Sequence, residues 1–251
     1  MNIVQKFYDD LADQYDKLFL DWNNESEEQG VILDELFQKA GLDRSAKVLD
    51  CACGIGTQSI GLAKLGYSVV ASDISERELE QGKSRAKEQN LDISFTHADF
   101  CELDKSFGEQ FDAVICMDNA LPHMLTTKDL EKAIKSIVGQ ISPNGIFLGS
   151  IRDYDELILS KPTYSPPYIH ECDKGRRVAF QIWSWSGDIY QFTQYLIEDE
   201  AELKVNKFDC KYRAIRRAEL TGLLLKHGCR EVEWKFPEET GFYQPIVVAK
   251  K

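Results

Sequence analysis

The segment Val48-Leu49-Asp50-Cys51-Ala52-Cys53-Gly54-Ile55-Gly56-Thr57, with Asp73 nineteen residues after Gly54, constrains the fold of this chain more than any other. A hydrophobic run ends at an acid. It is followed by a glycine turn, a helical stretch from Gln58 to Leu65, and an apolar run from Tyr67 that leads to Asp73. Strand, glycine loop, helix, strand and acid in that order form the first half of a nucleotide-binding α/β sheet. Glycines let the backbone approach a ligand closely, and an acid at the end of the second strand accepts hydrogen bonds from ribose hydroxyls. Asp73 also stands where it would cap a helix beginning near Glu76, so both roles are open.

The loop discriminates among nucleotides. Dinucleotide sites read G-x-G-x-x-G and leave a helix N-terminus free for pyrophosphate. Here the third glycine position is Ser59, no Walker lysine follows, and Asp50 is expected at the mouth of the loop, where it repels phosphate and suits an ammonium. S-adenosylmethionine, with an adenosine, an ammonium and a sulfonium but no phosphate, meets those terms. The pattern D-x-x-x-G-x-G resembles the first motif of the class I S-adenosylmethionine-dependent methyltransferases. The resemblance implies an α/β, doubly wound, mostly parallel seven-stranded sheet of Rossmann-like type. It also implies S-adenosyl-L-methionine as cofactor and S-adenosyl-L-homocysteine as product.

Along the chain, strands are expected at Lys47 to Asp50, Ser68 to Ser72, Ile93 to His97, Phe111 to Met117 and Ile146 to Ser150. Helices are expected at Phe7 to Phe19, about Glu27 to Ala40, Glu76 to Gln89 and Leu130 to Ile141, the last stopped by Pro143. Alternation of this kind builds a parallel sheet. After Ile151 the pattern changes to three strand-like runs, Arg176 to Trp185, Asp188 to Ile197 and Glu202 to Cys210, which read as a small antiparallel cap. A helix from Arg217 to His227 and a hairpin of Glu231 to Phe236 with Pro245 to Ala249 complete the sheet. The expected organisation is one domain over residues 1–251, with N-terminal helices in 1–45 and an inserted substrate cap at about 152–212.

Composition narrows the partners. Thirty basic against forty-two acidic residues give a net charge of −12, which disfavours nucleic acid, since phosphate binding needs a basic face. The cations between Lys211 and Arg217 read as a solvated loop or strand end. No run approaches the roughly eighteen apolar residues of a membrane span, and the N-terminus lacks a signal-peptide core, so a cytoplasmic protein is expected. Seven scattered cysteines without paired zinc spacing read as reduced thiols, with no metal site expected. The sequence does not fix the oligomeric state, and a homo-oligomer is compatible with it.

In an open parallel sheet, ligands lie beyond the carboxyl ends of the strands. Those ends give Asp50, Ala52, Gly54, Gly56, Asp73, Ile74, Asp99, Phe100 and Met117 as the expected cofactor contacts, and Met117 to Asn119 and Arg152 as the acceptor side. Asp99 resembles the family acid that accepts from the adenine amino group, with a surface turn as the alternative. Phe100 either stacks on adenine or packs in the core. Two further segments resemble the glycine and sarcosine N-methyltransferase branch. Val114-Ile115-Cys116-Met117-Asp118-Asn119, with His123 four residues on, matches its V-I-C-x-x-N…H segment, and Ile151-Arg152-Asp153-Tyr154-Asp155 resembles its H-R-N-Y-D segment.

That resemblance implies a small-molecule acceptor, the amine of glycine, sarcosine or a related amino acid. Arg152 would hold its carboxylate and Asn119 would contact the same substrate. Alternatives remain: an ion pair of Arg152 with Asp153 or Asp155, an unrelated small metabolite as acceptor, or a non-catalytic cofactor-binding module. His123 either orients the acceptor or only packs. Tyr15, with Tyr8 seven residues before it on one helix face, either closes over the reacting methyl or is a core aromatic. The chain departs from the branch in having Ile55 where threonine is favoured. It also has no Lys or Arg between Lys17 and Lys39, where the branch carries an arginine for the cofactor carboxylate.

Overall fold

A computed structural model of the chain describes residues 3–172 and 175–251. Its first half alternates helices and strands: α1 (Ile3–Leu11), α2 (Trp22–Lys39), β1 (Lys47–Asp50), α3 (Thr57–Lys64), β2 (Ser68–Asp73), α4 (Glu76–Glu88), β3 (Ser94–His97), β4 (Phe111–Cys116), α5 (Thr127–Gly139) and β5 (Ile141–Ser150). The second half holds α6 (Tyr154–Ser160), β6 (Tyr168–Cys172), β7 (Gly175–Ser186), β8 (Ile189–Asp199), β9 (Leu203–Arg213), α7 (Arg217–Lys226), β10 (Glu231–Lys235), α8 (Pro237–Thr240) and β11 (Ile246–Lys250). The main sheet has the order β10-β11-β5-β4-β1-β2-β3. β1 to β5 are mutually parallel, and β11 runs antiparallel to β5, with Ile246 opposite Ser150. This is the mostly parallel, doubly wound seven-stranded sheet expected from the sequence, with a separate four-stranded antiparallel sheet, β6-β7-β8-β9.

The continuous apolar runs of β1 and β4 place them at the centre, covered on both faces. Val48, Leu49 and Val114 are fully buried. On one face α2 and α3 touch backbone to backbone: a Cβ on Gly61 would lie 2.1 Å from the Ser26 carbonyl oxygen. Glycine there lets α2 clamp the helix that follows the glycine loop. In the second sheet the side chains alternate. Trp183, Tyr190, Phe192 and Tyr212 point inward and join one apolar cluster with Phe7 and Leu11 of α1, Tyr154 of α6 and Val114 of β4. The antiparallel sheet and α1 are thereby packed over the carboxyl ends of the parallel strands.

Several boundaries differ from the sequence reading. The helix expected over Phe7 to Phe19 is α-helical only to Leu11 and tightens to 3-10 turns over Ala12–Leu18. There Asp13 and Asp16 are drawn to Arg77 and Arg85 of α4. α2 starts five residues early because Asp21 caps it, accepting from the Asn23 and Asn24 N–H groups. Pro143 does not separate a helix from a strand: β5 already starts at Ile141, opposite Phe111. It bulges through Asn144 (φ 66°) before Ile146 pairs with Ala113. α6, β6 and α8 were not anticipated, and the second sheet runs to Arg213. The cations around it are not merely solvated: Arg213 pairs with Glu219, and Arg217 with Asp153 and Asp155. Among the described residues, no helix is long and apolar enough to cross a membrane, and no group of three or more His, Cys, Asp or Glu is placed to hold a metal ion. The six cysteines with described side chains are free thiols.

Candidate active site

The chain leaves β1 at Asp50 and turns through Gly54 (φ 51°) and Gly56 (φ 89°), a left-handed geometry that glycine adopts without strain. Asp73 fastens this loop to the second strand. One carboxylate oxygen accepts the Gly54 N–H at 2.9 Å and the other the Ser75 N–H at 2.9 Å. The cap of α4 is Ser75, whose hydroxyl accepts the Glu78 N–H. Asp50 lies beneath the loop, fully buried, accepting from the Ser59 hydroxyl at 2.7 Å and the Ala52 N–H at 3.4 Å. Burial pushes its carboxyl up to about 7, and burial raises Asp73 as well.

Above the loop lies a cavity that brings together Ala52, Gly54, Asp73, Ile74, Asp99, Phe100 and Met117, with Tyr15 and His123 also on its wall. Asp50 and Gly56 stand behind it and do not line it. Among the described residues no Lys or Arg lines this cavity. A further carboxyl on its wall is Glu78, which sequence reasoning passed over. That side chain is buried, has an oxygen without a partner, and is driven well above the usual carboxyl range by burial and then by Asp73.

A second, larger chamber opens between α1, α6, α8 and the inner face of the antiparallel sheet. Asn119 and Arg152 line it, and Tyr8, Tyr15 and Asp118 line both cavities. The Arg152 guanidinium donates to the Tyr190 hydroxyl at 2.9 Å and to the Gln181 side-chain oxygen at 3.0 Å. It also lies over the rings of Trp183 and Tyr212, at 5.0 and 5.6 Å. No carboxylate among the described residues pairs with it: Asp153 and Asp155, the alternative partners, are taken by Arg217. Asn119 is 2 % exposed and turned inward. Its Oδ1 accepts the Arg152 backbone N–H at 3.0 Å, and its Nδ2 donates to the Tyr154 hydroxyl at 2.9 Å. Asn119 therefore sets the backbone that carries Arg152.

His123 sits between the cavity and the antiparallel sheet. Its Nδ1 lies 3.2 Å from the Lys211 carbonyl and must donate to it, so Nε2 accepts the Tyr8 hydroxyl at 3.0 Å. Burial lowers its pKa to about 3, which keeps the ring neutral. The Tyr15 hydroxyl makes no hydrogen bond among the described residues, and burial raises its pKa well above 10, with Asp118 adding to the effect. The walls that sequence reasoning missed include Gln181, Trp183 and Tyr212, with Tyr190 behind them as a partner of Arg152. The available signal was period-two alternation, which puts Gln181 and Trp183 on one face of β7 and Tyr190 and Phe192 on one face of β8.

Comparison with known proteins agrees with this geometry. Residues 48–145 match the model of a methyltransferase domain. The glycine/sarcosine N-methyltransferase of Parasynechococcus marenigrum (strain WH8102) is 32% identical over 154 residues, 61% of this chain and 53% of that protein. The chain thus spans about half the length of the first curated relatives it matches. Among solved structures, an S-adenosylmethionine-dependent methyltransferase from Clostridium acetobutylicum ATCC 824 superposes with a TM-score of 0.75 at 19% identity, covering 99% of both chains. CalS10, an amino pentose methyltransferase from Micromonospora echinaspora solved with S-adenosylmethionine bound, gives 0.73 at 16% identity over 90% of this chain and 91% of its own. Residues 48–145 thus match a methyltransferase domain, and the sheet built around it has the fold of solved S-adenosylmethionine-dependent methyltransferases.

Proposed function

We propose that the protein transfers the methyl group of S-adenosylmethionine to the amine of a small amino carboxylate such as glycine or sarcosine. The observation that carries the acceptor is Arg152. Its guanidinium lies in an open chamber with only neutral hydrogen-bond partners and aromatic faces around it. A planar guanidinium without an anion is completed by a ligand carboxylate, which it can grip with two parallel bonds.

The first cavity suits the cofactor. It is rich in acceptors, lined by no Lys or Arg among the described residues, and floored by a loop that a Cβ at Gly54 would press against Glu78. In this reading Asp73 holds the ribose and Asp99 the adenine amino group. Ile74 and Phe100 flank the ring, and Ala52, Gly54 and Met117 follow the methionyl chain. Asp50 and Gly56 act through the shape of the loop. When bound, the cofactor supplies a methyl already activated on a sulfonium, so strong acid–base catalysis is not required. The chain contributes position and exclusion of water. Tyr8, Tyr15 and Asp118 are common to both cavities, so the reacting atoms meet beside them. Tyr15 offers the only one of those three polar groups not already engaged within the described chain. His123 acts indirectly, by holding Tyr8.

An acceptor chamber open beside the cofactor cavity supports transfer over mere cofactor binding. The breadth of its lining, drawn from α1, α6, α8 and the antiparallel sheet, favours one second reading, a bulkier amine. Calorimetric titration with S-adenosylhomocysteine, followed by glycine and sarcosine, tests the proposal. Binding of the amino acids to the complex, lost in Arg152→Ala while S-adenosylhomocysteine still binds, is expected. Amino-acid binding that survives Arg152→Ala would remove the acceptor assignment, and failure to bind S-adenosylhomocysteine would remove the whole reading.

A further inference from the structure

We propose that the Asp118 carboxylate is the group that binds the ammonium of the acceptor, so that Asp118 and Arg152 read the two ends of a zwitterion. The inference rests on the amino-carboxylate reading above and extends it to a residue given no role there beyond its place on the wall. Asp118 and Asn119 are consecutive non-glycine residues in the left-handed region, at φ 52° and 67°. Such backbone is unfavourable for most side chains, tolerated by Asp and Asn, and persists where the surroundings hold it.

The end of β5 does the holding. The Asp118 N–H donates to the Ser150 hydroxyl at 2.8 Å, the Asn119 N–H to the Ser150 carbonyl at 3.2 Å, and the Arg152 N–H to Asn119 Oδ1 at 3.0 Å. The segment bearing the acid is thus zipped to the segment bearing the guanidinium, and both side chains line one chamber. The two charged groups are also treated alike. Asp118 accepts from Gln58 Nε2 at 2.8 Å and from the Tyr243 hydroxyl at 2.8 Å, both neutral donors. No Lys or Arg among the described residues pairs with it, just as no carboxylate pairs with Arg152. A carboxylate has about four lone-pair directions, so two donors leave room for an ammonium.

Placement orients the guest. Asp118 lines both cavities, whereas Arg152 lines only the chamber. An amino acid spanning the pair therefore turns its nitrogen toward the cofactor cavity and its carboxylate away from it. A methyl acceptor must be presented in that sense, and loss of one ammonium proton to the solvent of the open chamber frees the nitrogen lone pair that attacks.

The test separates the two ends with fragments. The complex of the full chain with S-adenosylhomocysteine is titrated with dimethylammonium chloride, which lacks a carboxylate, and with sodium acetate, which lacks an amine, at matched ionic strength. Dimethylammonium is expected to bind the wild type and Arg152→Ala alike, and to bind Asp118→Asn at least tenfold more weakly. Asparagine tolerates the left-handed backbone, so S-adenosylhomocysteine affinity within about threefold of wild type is expected as the sign of an intact fold. Equal dimethylammonium affinity in wild type and Asp118→Asn, or none in either, overturns the proposal. So does a tenfold loss of S-adenosylhomocysteine affinity in Asp118→Asn, which would give Asp118 to the ammonium of the cofactor or to the fold. Acetate should bind the wild type and Asp118→Asn but not Arg152→Ala. If the acetate arm fails while the dimethylammonium arm holds, Asp118 stands and only the carboxylate reading of Arg152 falls.

Discussion

Asp50 sits fully buried under the glycine loop, and burial lifts its carboxyl from 3.8 to about 7, with the Ser59 hydroxyl and Ala52 N–H pulling the other way. A folded-state value above the unfolded one means that, between about pH 4 and 7, the native protein keeps a proton the unfolded chain has released. The contribution of Asp50 to stability is therefore present at low pH and lost as pH rises through about 7. A shift of about three units corresponds to about 4 kcal/mol. Asp50→Asn cannot ionise and keeps an oxygen for Ser59. Its unfolding free energy relative to wild type should therefore rise by several kcal/mol between pH 4 and pH 8, measured by urea denaturation. A difference that does not change with pH would rule this out. The same residue shows what a sequence leaves out at this scale. Ser59 in the third glycine position and an extra acid at Asp50 each argued against a dinucleotide. They are two ends of one 2.7 Å hydrogen bond. The residue types were legible, but the direction of a side chain at the end of a strand was not, and Asp50 faces the core rather than the mouth of the loop.

Elements were legible where one physical cause sets them. β1 reads to the residue because an apolar run is bounded by Lys47 and the glycine loop, and α7 stops where Gly228 takes a positive φ. They were illegible where a distant partner overrides the local pattern. Helical periodicity continues through Tyr15, yet the ion pairs to α4 tighten that segment to 3-10 turns. Pro143 is a good stop signal, yet β4 pairs with both sides of the bulge that contains it. Neither the α2–α3 contact nor its need for glycine can be seen in a single sequence. Gly61 is the clearest case, since a Cβ there overlaps the Ser26 carbonyl oxygen and approaches Gly30 Cα to 3.0 Å. Gly61→Ala gains helix propensity of at most about 1 kcal/mol but forces two helices apart. A net loss of about 2 kcal/mol or more in chemical denaturation is expected, with weaker S-adenosylhomocysteine binding because α3 carries the loop. A stabilised Gly61→Ala protein would show that the helix contact yields easily.

At the scale of the whole molecule, the parallel sheet supplies the floor of the first cavity, while most of the wall of the second comes from chain beyond residue 151 and the rest from residues 7–25 and from Asp118 and Asn119. The loop that floors the first cavity was therefore readable from one motif. Of the surroundings of Arg152 in the second chamber, the sequence singled out only Asn119, because Gln181, Tyr190 and Tyr212 converge on Arg152 from three strands whose pairing the sequence does not announce. The two cavities share the walls Tyr8, Tyr15 and Asp118, and α1 is packed against the antiparallel sheet through Phe7 and Phe192. Filling one cavity orders side chains that the other also needs, so the second ligand loses less conformational freedom on binding. Coupling free energies of this kind are commonly about 1–3 kcal/mol, roughly five- to 150-fold in affinity, and they are reciprocal. S-adenosylhomocysteine should therefore strengthen sarcosine binding at least about fivefold, and sarcosine should strengthen S-adenosylhomocysteine binding by the same factor. Titrations performed in both orders check the equality. In Tyr15→Phe, which removes the one shared hydroxyl without a partner among the described residues, the factor should fall toward one while each ligand still binds alone. A factor of one already in the wild type would mean that the shared walls are rigid, and that the cofactor positions the acceptor only through direct contact.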